Sequence, residues 1–376
     1  MVVRLVYYRC GNRFCLSIAS VAWQSQSQIK FYKTRKMQTT IKQITPQSLR
    51  EAKNLIDDGE VVAIPTETVY GLGGNAFDDN AVKKIFEVKG RPNDNPLIAH
   101  IHTEYDLSQI IDYDPPYAKK LRDAFLPGPL TLVYPSKNKV SPFVSCGLDT
   151  LAIRVPSHEG AQAFLREVGV PIVAPSANLS KHVSPTSAQH VFDDFAGKIQ
   201  LILDGGECVG GIESTVCDCT GDIPVILRPG LITKEMIESV VGACGEYTPT
   251  FQRGEKVKSP GVLYKHYSPR CKTLYFKAQD IDKAVSAYKE QSAINKEVAV
   301  LCEDKCVRVF ESIGAKCLNL GKTQAEMATR LYKLLRKAEC ICSLLIAVEP
   351  EEKGGVMTGV LNRLHKACVS EDIVIK

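Results

Sequence analysis

Residues 61–89 constrain the fold more than any other part of the chain. Residues 61–64 form a short β-branched run between a glycine and a proline, which predicts a buried strand. The polar, glycine-rich string PTETVYGLGG follows, and residues 78–89 carry apolar side chains at helical spacing before Gly90. A strand followed by a glycine turn and a helix can aim backbone N–H groups at an anion. The alternative interpretation is a plain tight turn that binds nothing.

Length and composition are those of an ordinary two-domain globular protein. The chain has 376 residues, of which 44% are hydrophobic and 24% charged. No run of roughly 18 apolar residues occurs, so we predict no transmembrane helix. The 14 cysteines lack zinc spacing. The close pairs Cys217/Cys219 and Cys340/Cys342 are predicted to lie in strands and to pack in a reducing compartment.

Positive charge is concentrated at the amino terminus. The first fifty residues hold nine Lys or Arg and no acid, and since the whole chain has a net charge of +5, the rest carries −4. This balance does not favour a basic nucleic-acid surface on the folded part. An acid-free, Arg-rich leader over residues 1–44 is typical of a mitochondrial presequence. The alternatives are a weak secretory signal, a disordered tail and a gene-model extension upstream of Met37. We expect a cytoplasmic protein, with mitochondrial targeting as the leader's candidate role.

The pattern of elements divides the rest of the chain into three parts. Residues 45–241 mix strands and helices, which predicts a catalytic α/β domain with a twisted, mixed sheet. Residues 242–271 are rich in Pro and Gly and lack periodicity, so they read as a linker too long for a plain connection. Residues 272–376 alternate strands and helices regularly, which predicts a smaller Rossmann-like parallel α/β domain.

Polar side chains recur near the predicted strand ends of the first domain. In an open α/β fold such side chains converge on one crevice, and cations with hydroxyls suit a phosphate and a carboxylate. The sequence shows no G-x-S-x-G serine, and Gly321-Lys322-Thr323 lacks the upstream glycine of a Walker A loop. We therefore predict anion binding without a covalent nucleophile. The side chains are Thr66, Thr68, Lys89, Arg91, His100, Thr150, Arg154, Ser176, Asn178, Ser214 and Arg228.

Several strings then resemble a known family, the YrdC-type threonylcarbamoyl-AMP synthases. They are PTETVYGLG, KGRPNDNPLIAH, PGPLTLV, LAIRVP, PIVAPSANLS followed by SPT, and LRPG, in the family's order. The paired signature Lys-x-Arg and Ser-x-Asn is present as Lys89-x-Arg91 and Ser176-x-Asn178. The linker string from Ser259 to Pro269 and the small second domain resemble the two-domain, Sua-type branch.

The resemblance implies an activity and its residues. The family condenses L-threonine, bicarbonate or CO2, and ATP with Mg²⁺ into threonylcarbamoyl-AMP and pyrophosphate. A downstream tRNA threonylcarbamoyl transferase then modifies adenosine 37 of tRNAs that read ANN codons, so the tRNA is an indirect partner. By matching position, the catalytic residues are Lys89, Arg91, Ser176 and Asn178, the threonine-binding residues are Thr68, His100, Arg154, Ala174 and Ser214, and the ATP-binding residues are Arg91, Asn95, Thr150, Ser176, Ser184, Arg228 and Tyr267. No protein side chain is assigned to a metal.

Two other functions and one further expectation remain. A double-stranded RNA-binding module and a carbamoyl-adenylate enzyme of the hydrogenase-maturation type are the alternatives. Against the first, the sequence shows no stripe of basic and aromatic residues. Against the second, it shows neither the zinc-finger cysteine pairs nor the acylphosphatase domain that such enzymes carry. The linker over residues 242–271 is expected to fold back over the first domain, with Tyr267 reaching the nucleotide, and a flexible tether is the alternative.

Overall fold

Two β-sheets of different kinds organise the residues that the computed structural model describes, which are 37–247, 267–294 and 297–369. The strands are β1 (Thr40–Gln43), β2 (Val62–Ile64), β3 (Gly71–Asn75), β4 (Ile98–His100), β5 (Leu130–Pro135), β6 (Thr150–Arg154), β7 (Ile172–Val173), β8 (Leu201–Asp204), β9 (Thr215–Asp218), β10 (Val225–Arg228), β11 (Gly245–Glu246), β12 (Lys272–Phe276), β13 (Val298–Cys302), β14 (Lys316–Asn319) and β15 (Leu344–Val348). The helices are α1 (Pro46–Asp57), α2 (Asp79–Lys89), α3 (Pro116–Phe125), α4 (Pro142–Ser145), α5 (Glu159–Val168), α6 (Ala188–Phe195), α7 (Lys234–Val241), α8 (Ile281–Ile294), α9 (Asp304–Glu311), α10 (Gln324–Ile341) and α11 (Val356–Cys368).

The first sheet is mixed and the second is parallel, as the sequence predicts. The first has the strand order β1-β8-β2-β3-β7-β4-β6-β5-β9-β10-β11. Its neighbours include parallel pairs such as β4 with β6 and antiparallel pairs such as β5 with β6. The second has the order β12-β15-β13-β14, and all its pairs are parallel. Every helix in the described part of the chain is too short or too polar to cross a bilayer.

The glycine-rich stretch after Tyr70 is a strand, which corrects the prediction of a glycine turn leading into a helix. Strand β3 pairs antiparallel with β2, so the two form the arms of a hairpin. Glycine is needed there because a Cβ on Gly73 would lie 2.9 Å from Ile172 Cγ2 and 3.2 Å from the carbonyl O of Val62. The hairpin separates the polar turn from the first residues of α2. The predicted strand–turn–helix arrangement is therefore wrong.

Both predicted boundaries of the first domain are also revised. Residues 40–43 fall inside the predicted leader, yet β1 pairs in parallel with β8 at the edge of the sheet. Residues 245–246 fall inside the predicted linker, yet β11 pairs in parallel with β10. Backbone pairing thus extends the first domain at both ends, and short edge strands of this kind have little sequence signature.

The second domain differs from its prediction in detail. Helix α10 continues to Ile341, so Cys340 lies in a helix and not in the predicted strand, which begins only at Leu344. The capping box between Thr323 and Glu326 starts this helix, and its buried face runs along the whole length. Helices α4, α7 and α9 were not predicted, because each is short, with 4, 8 and 8 residues.

The two domains meet without room for extra atoms. Val69, Val183 and Ile212 of the first domain belong to one hydrophobic cluster with side chains of α10 and α11. A Cβ on Gly211 would lie 2.3 Å from the carbonyl O of Ala328, and one on Gly359 would lie 3.2 Å from Gly230 Cα. Glycine at these contacts lets α10 and α11 pack directly on the loops that precede β9 and follow β10.

Candidate active site

One pocket lies where β4 and β6 end, beside the loop that leads into β9. It encloses about 750 Å³, the open solvent at its mouth included. Strands β4 and β6 run parallel with His100 opposite Arg154, so both side chains arrive together. The lining residues are Thr68, Val69, Lys89, Arg91, Pro96, Leu97, Ile98, His100, Arg154, Ala174, Pro175, Ser176, Asn178, Ser180, Lys181, His182, Glu213, Ser214, Arg228 and Tyr267.

Arg154 forms the floor of one end of the pocket. Its side chain is buried, and Nη1 donates to Thr68 Oγ1 at 2.8 Å. Nη2 lies 2.7 Å from Glu67 Oε1, but the N–H is not aligned with that oxygen. The contact is therefore an ion pair rather than a good hydrogen bond, and neither Glu67 oxygen accepts a hydrogen bond from the described residues. Thr68 and Glu67 hold the guanidinium in place, and the guanidinium can still donate hydrogen bonds to a ligand.

His100 is neutral beside this guanidinium. Burial and the charge of Arg154 lower the pKa of His100 to about 3. Its Nδ1 lies 3.2 Å from the carbonyl O of Ile98. At neutral pH the ring adds no positive charge to the pocket.

Lys89 organises the loop that carries the Ser-x-Asn signature. Helix α2 ends at this residue, and Gly90 caps it with a left-handed backbone at φ 60°. The buried Lys89 ammonium donates to the carbonyl O of Ser176 and, at 2.7 Å, to that of Asn178. Burial, followed by the charge of Arg91, lowers the pKa of Lys89 well below its usual range. Lys89 fixes the Ser176–Asn178 backbone through these two hydrogen bonds.

Two further arginines of the first domain, Arg91 and Arg228, line the pocket, as does Lys181. Arg91 Nη2 donates to the carbonyl O of Asn95 at 2.9 Å. Arg228, at the end of β10, donates from Nη2 to the carbonyl O and the hydroxyl of Ser214, at 2.9 and 3.2 Å. Burial lowers the pKa of both guanidinium groups, and both stay protonated at neutral pH. Both line the pocket, where guanidinium groups can bind a polyanion.

Tyr267 closes the pocket from the side of the second domain. It is buried, and its ring lies 5.3 Å from the ring of Tyr332 in α10. The next residue, Ser268, donates its N–H to the carbonyl O of Lys181 at 3.0 Å. Lys181 and Tyr267 both have left-handed backbones, at φ 71° and 67°, which side chains other than glycine adopt rarely. The end of the linker is thus fixed against the loop after Asn178.

Comparison with known proteins decides the family. A family model described as "Telomere recombination" (Sua5_yciO_yrdC) matches residues 54–230, and one described as "Threonylcarbamoyl-AMP synthase, C-terminal domain" matches residues 232–369. The threonylcarbamoyl-AMP synthase of Pyrococcus abyssi is 41% identical over 326 residues, which cover 85% of this chain and 93% of that protein. The chain belongs to the threonylcarbamoyl-AMP synthase family.

Two further relatives cover nearly the same residues. The threonylcarbamoyl-AMP synthase of Bacillus subtilis is 42% identical over 322 residues, covering 85% of this chain and 92% of that protein. A crystal structure of Pyrococcus abyssi Sua5 complexed with L-threonine has a TM-score of 0.78 at 39% identity, covering 88% of this chain and 97% of that one. These relatives therefore share both domains of this chain.

The structure brings together most of the residues predicted from the family motifs. All of them line the pocket except Asn95, Thr150 and Ser184. Asn95 is in contact with Arg91, and the Ser184 hydroxyl donates to Glu213 Oε1 at 2.6 Å. Thr150 begins β6 while Arg154 ends it, so the two Cα atoms are about 13 Å apart along the strand. Thr150 lies at the amino end of β6, which corrects the prediction that it belongs with the polar side chains whose strand ends converge on the crevice.

The sequence reasoning missed several residues of the site. Glu67 lies inside the quoted PTETVYGLG string but was given no role, although its carboxylate is paired with Arg154. Glu213 directly precedes Ser214 and lines the pocket. Its partners Tyr332 and Arg363 come from the second domain, where no motif pointed to them. Most of the predicted lid, residues 248–266, lies outside the described residues.

Proposed function

We propose that this protein condenses L-threonine, bicarbonate or CO2, and ATP into threonylcarbamoyl-AMP and pyrophosphate. The observation that carries the proposal is the match to threonylcarbamoyl-AMP synthases over 93% of one relative and 92% of another. The pocket supports it, because it joins a cation-lined part to a part floored by Arg154. The product would serve a downstream transferase that modifies adenosine 37 in tRNAs reading ANN codons.

The threonine would bind at the Arg154 end. Its carboxylate would take the two-pronged guanidinium of Arg154, since such forks match carboxylates bidentately. Thr68, which accepts from Arg154 at 2.8 Å, and Ser214 would orient the amino acid by their hydroxyls. Neutral His100 and the small Ala174 would shape the wall around it. The threonine amine would then point toward the centre of the pocket.

The triphosphate would bind at the cationic end, where the chemistry is positioning and charge neutralisation. The threonine amine adds to CO2 and loses a proton to solvent, which gives a carbamate. A carbamate oxygen then attacks the α-phosphorus, the bond from that phosphorus to the oxygen bridging the α- and β-phosphates breaks, and pyrophosphate leaves with the bridging oxygen. Arg91 and Arg228 would stabilise the charge on the phosphates. Lys89 would act by holding Ser176 and Asn178 where they contact the nucleotide. Tyr267 would pack against ATP, and Asn95, Thr150 and Ser184 stay predicted ATP-binding residues.

Magnesium would enter with the nucleotide. In the described ranges no three or more His, Cys, Asp or Glu side chains are grouped to hold a metal ion. The donors around the pocket are mostly cations and hydroxyls, which fit a metal carried by the triphosphate better than one held in a protein cage. Bound this way, Mg²⁺ would neutralise part of the phosphate charge, and the arginines would neutralise the remainder.

A pyrophosphate-release assay tests the proposal without RNA. The purified protein should release pyrophosphate from ATP only when both threonine and bicarbonate are present. Phosphate release, or ATP turnover indifferent to threonine, would reject this activity. Tight binding of double-stranded RNA without any turnover would favour the RNA-binding alternative instead.

Arg91→Ala should weaken ATP use, whereas Lys322→Ala should not. Arg91 is a partly buried cation of the pocket, and one charge-assisted hydrogen bond is worth roughly 1.5–3 kcal/mol, or about 10- to 150-fold in kcat/KM for ATP. The Lys322 side chain is 75% exposed and belongs to the Gly-Lys-Thr string outside the pocket. Steady-state pyrophosphate assays compare the two variants. The reverse order of effects would overturn the assignment of the triphosphate end.

The leader is proposed to direct part of the protein to mitochondria. Its composition, with basic residues and no acid, motivates the proposal. A fluorescent protein fused to residues 1–45 should colocalise with a mitochondrial marker, and the chain from Met37 onward should keep full activity in solution. A diffuse fusion would instead point to a cytoplasmic protein with a non-targeting tail.

A further inference from the structure

Glu213 is a carboxylate in a pocket otherwise built for anions. It is 7% exposed, lines the pocket and lies next to Ser214, whose carbonyl and hydroxyl accept from Arg228. An ionised carboxylate so placed would repel a triphosphate and compete for the positive charge of Arg228. The site therefore needs a device that cancels this charge.

The second domain supplies that device through α11. Arg363 is fully buried, with 0% exposure, and its Nε donates to Glu213 Oε2 at 3.1 Å. Its Nη1 donates to the carbonyl O of Pro229, the residue that follows Arg228. The Arg363 guanidinium thus binds both Glu213 and the backbone next to Arg228.

Helix α10 adds a second contact to the same carboxylate. The Tyr332 hydroxyl lies 3.1 and 2.9 Å from the two Glu213 oxygens, so its single proton is shared between them. Ser184 Oγ donates to Oε1 at 2.6 Å from the first domain. The carboxylate is therefore fully hydrogen-bonded as well as charge-paired, which is what a buried acid requires.

We propose that Arg363 of the second domain is a positioning residue for the ATP site, which neutralises Glu213 so that Arg228 keeps its charge for the triphosphate. The proposal rests on the proposed function, since it takes the cationic end as the triphosphate site. It gives the second domain a direct part in ATP binding: the first domain alone would carry an uncompensated acid beside the phosphates.

The charge balance around Glu213 supports a test by pH. Burial acts to raise the pKa of Glu213, but the charges of Arg363 and Arg228 and the Ser184 hydrogen bond hold it below its ordinary value. Without Arg363 the burial effect gains weight, so the pKa rises and the acid titrates nearer to neutrality. The groups that face it are Arg363 and Lys366 on α11, Tyr332 on α10, Tyr267, and Ser184 and Arg228 of the first domain.

The decisive variant is Arg363→Met, in which the stem is kept and the charge removed. Equilibrium binding of a non-hydrolysable ATP analogue should be measured from about pH 5.5 to about pH 8.5, as the ratio of variant to wild-type Kd. Ionised Glu213 opposes the triphosphate, so the ratio should reach at least about tenfold at the high end and fall to within about threefold at the low end. A ratio that does not change with pH would overturn the proposal.

Two further variants separate charge from packing. Glu213→Gln combined with Arg363→Met removes both charges, and it should restore ATP affinity to within about threefold at every pH. Arg336→Met breaks a second buried interdomain ion pair, with Asp194 at 2.8 Å, and should lower thermal stability without a pH-dependent Kd ratio.

The outcome stays decisive if Arg363→Met does not fold. The double variant alone then tests the proposal. If this variant folds and still binds the analogue about tenfold more weakly than the wild type, Arg363 does more than cancel the charge of Glu213, and the proposal is overturned. If the wild-type protein binds no ATP analogue at all, the proposed function fails and not this inference.

Discussion

Arg154→Ala should abolish threonine-dependent turnover. The guanidinium is 4% exposed, donates to Thr68 and pairs with Glu67, so the variant loses the carboxylate fork and leaves a buried acid without its cation. Two charge-assisted hydrogen bonds to a substrate carboxylate are together worth roughly 3–6 kcal/mol, so threonine affinity should fall at least about 100-fold. Calorimetric titration with threonine measures it directly.

The controls for this prediction separate binding from folding. Arg166→Ala removes an arginine of the same domain whose contact with Glu104 at 3.0 Å is exposed, and it should leave threonine affinity unchanged. Arg154→Ala combined with Glu67→Gln removes the unpaired acid, which should recover thermal stability but not threonine binding. Wild-type threonine affinity in either Arg154 variant would contradict the assignment of this end of the pocket.

Lys89→Met should have the second-largest effect. Methionine keeps an unbranched apolar stem, but the carbonyl groups of Ser176 and Asn178 lose their shared donor. Leaving such buried groups unsatisfied costs about 1–3 kcal/mol of folding stability each, and the Ser176–Asn178 loop loses its fixed position. Because small displacements of positioning groups cost about 100-fold in rate, kcat/KM for ATP should fall by at least that factor.

A lysine on the same helix provides the matched control. Lys84 forms an ion pair with Glu60 near the surface of α2, and Lys84→Met should leave kcat/KM within about threefold. Thermal unfolding followed by circular dichroism reports the stability of both variants. Equal kinetics for Lys89→Met and the wild type would show that the loop is held by other contacts.

The site can be predicted where chain position and chemistry coincide. His100, Arg154 and Arg228 each end a strand, so the rule that strand ends meet in one crevice predicts from the sequence that they lie together. The same rule fails for Thr150, because this residue begins β6 and therefore lies at the amino end of the strand.

Other features depend on contacts that one sequence does not display. The Gly71–Asn75 stretch resembles a turn because its glycines lack strand propensity, yet the space between β2 and β7 admits little larger than glycine at Gly73. Glu213 and Arg363 are separated by 150 positions, and each alone reads as a surface charge. Their pairing appears only when α11 packs against the loop before β9.

Mass spectrometry of the reaction product tests the central claim most directly. The protein should be incubated with ATP, Mg²⁺, ¹³C-bicarbonate and each amino acid in turn. The account predicts pyrophosphate and one adenylate adduct, formed with threonine, whose mass includes the labelled carbon. An adduct that lacks the label, or equal adducts from every amino acid, would contradict it.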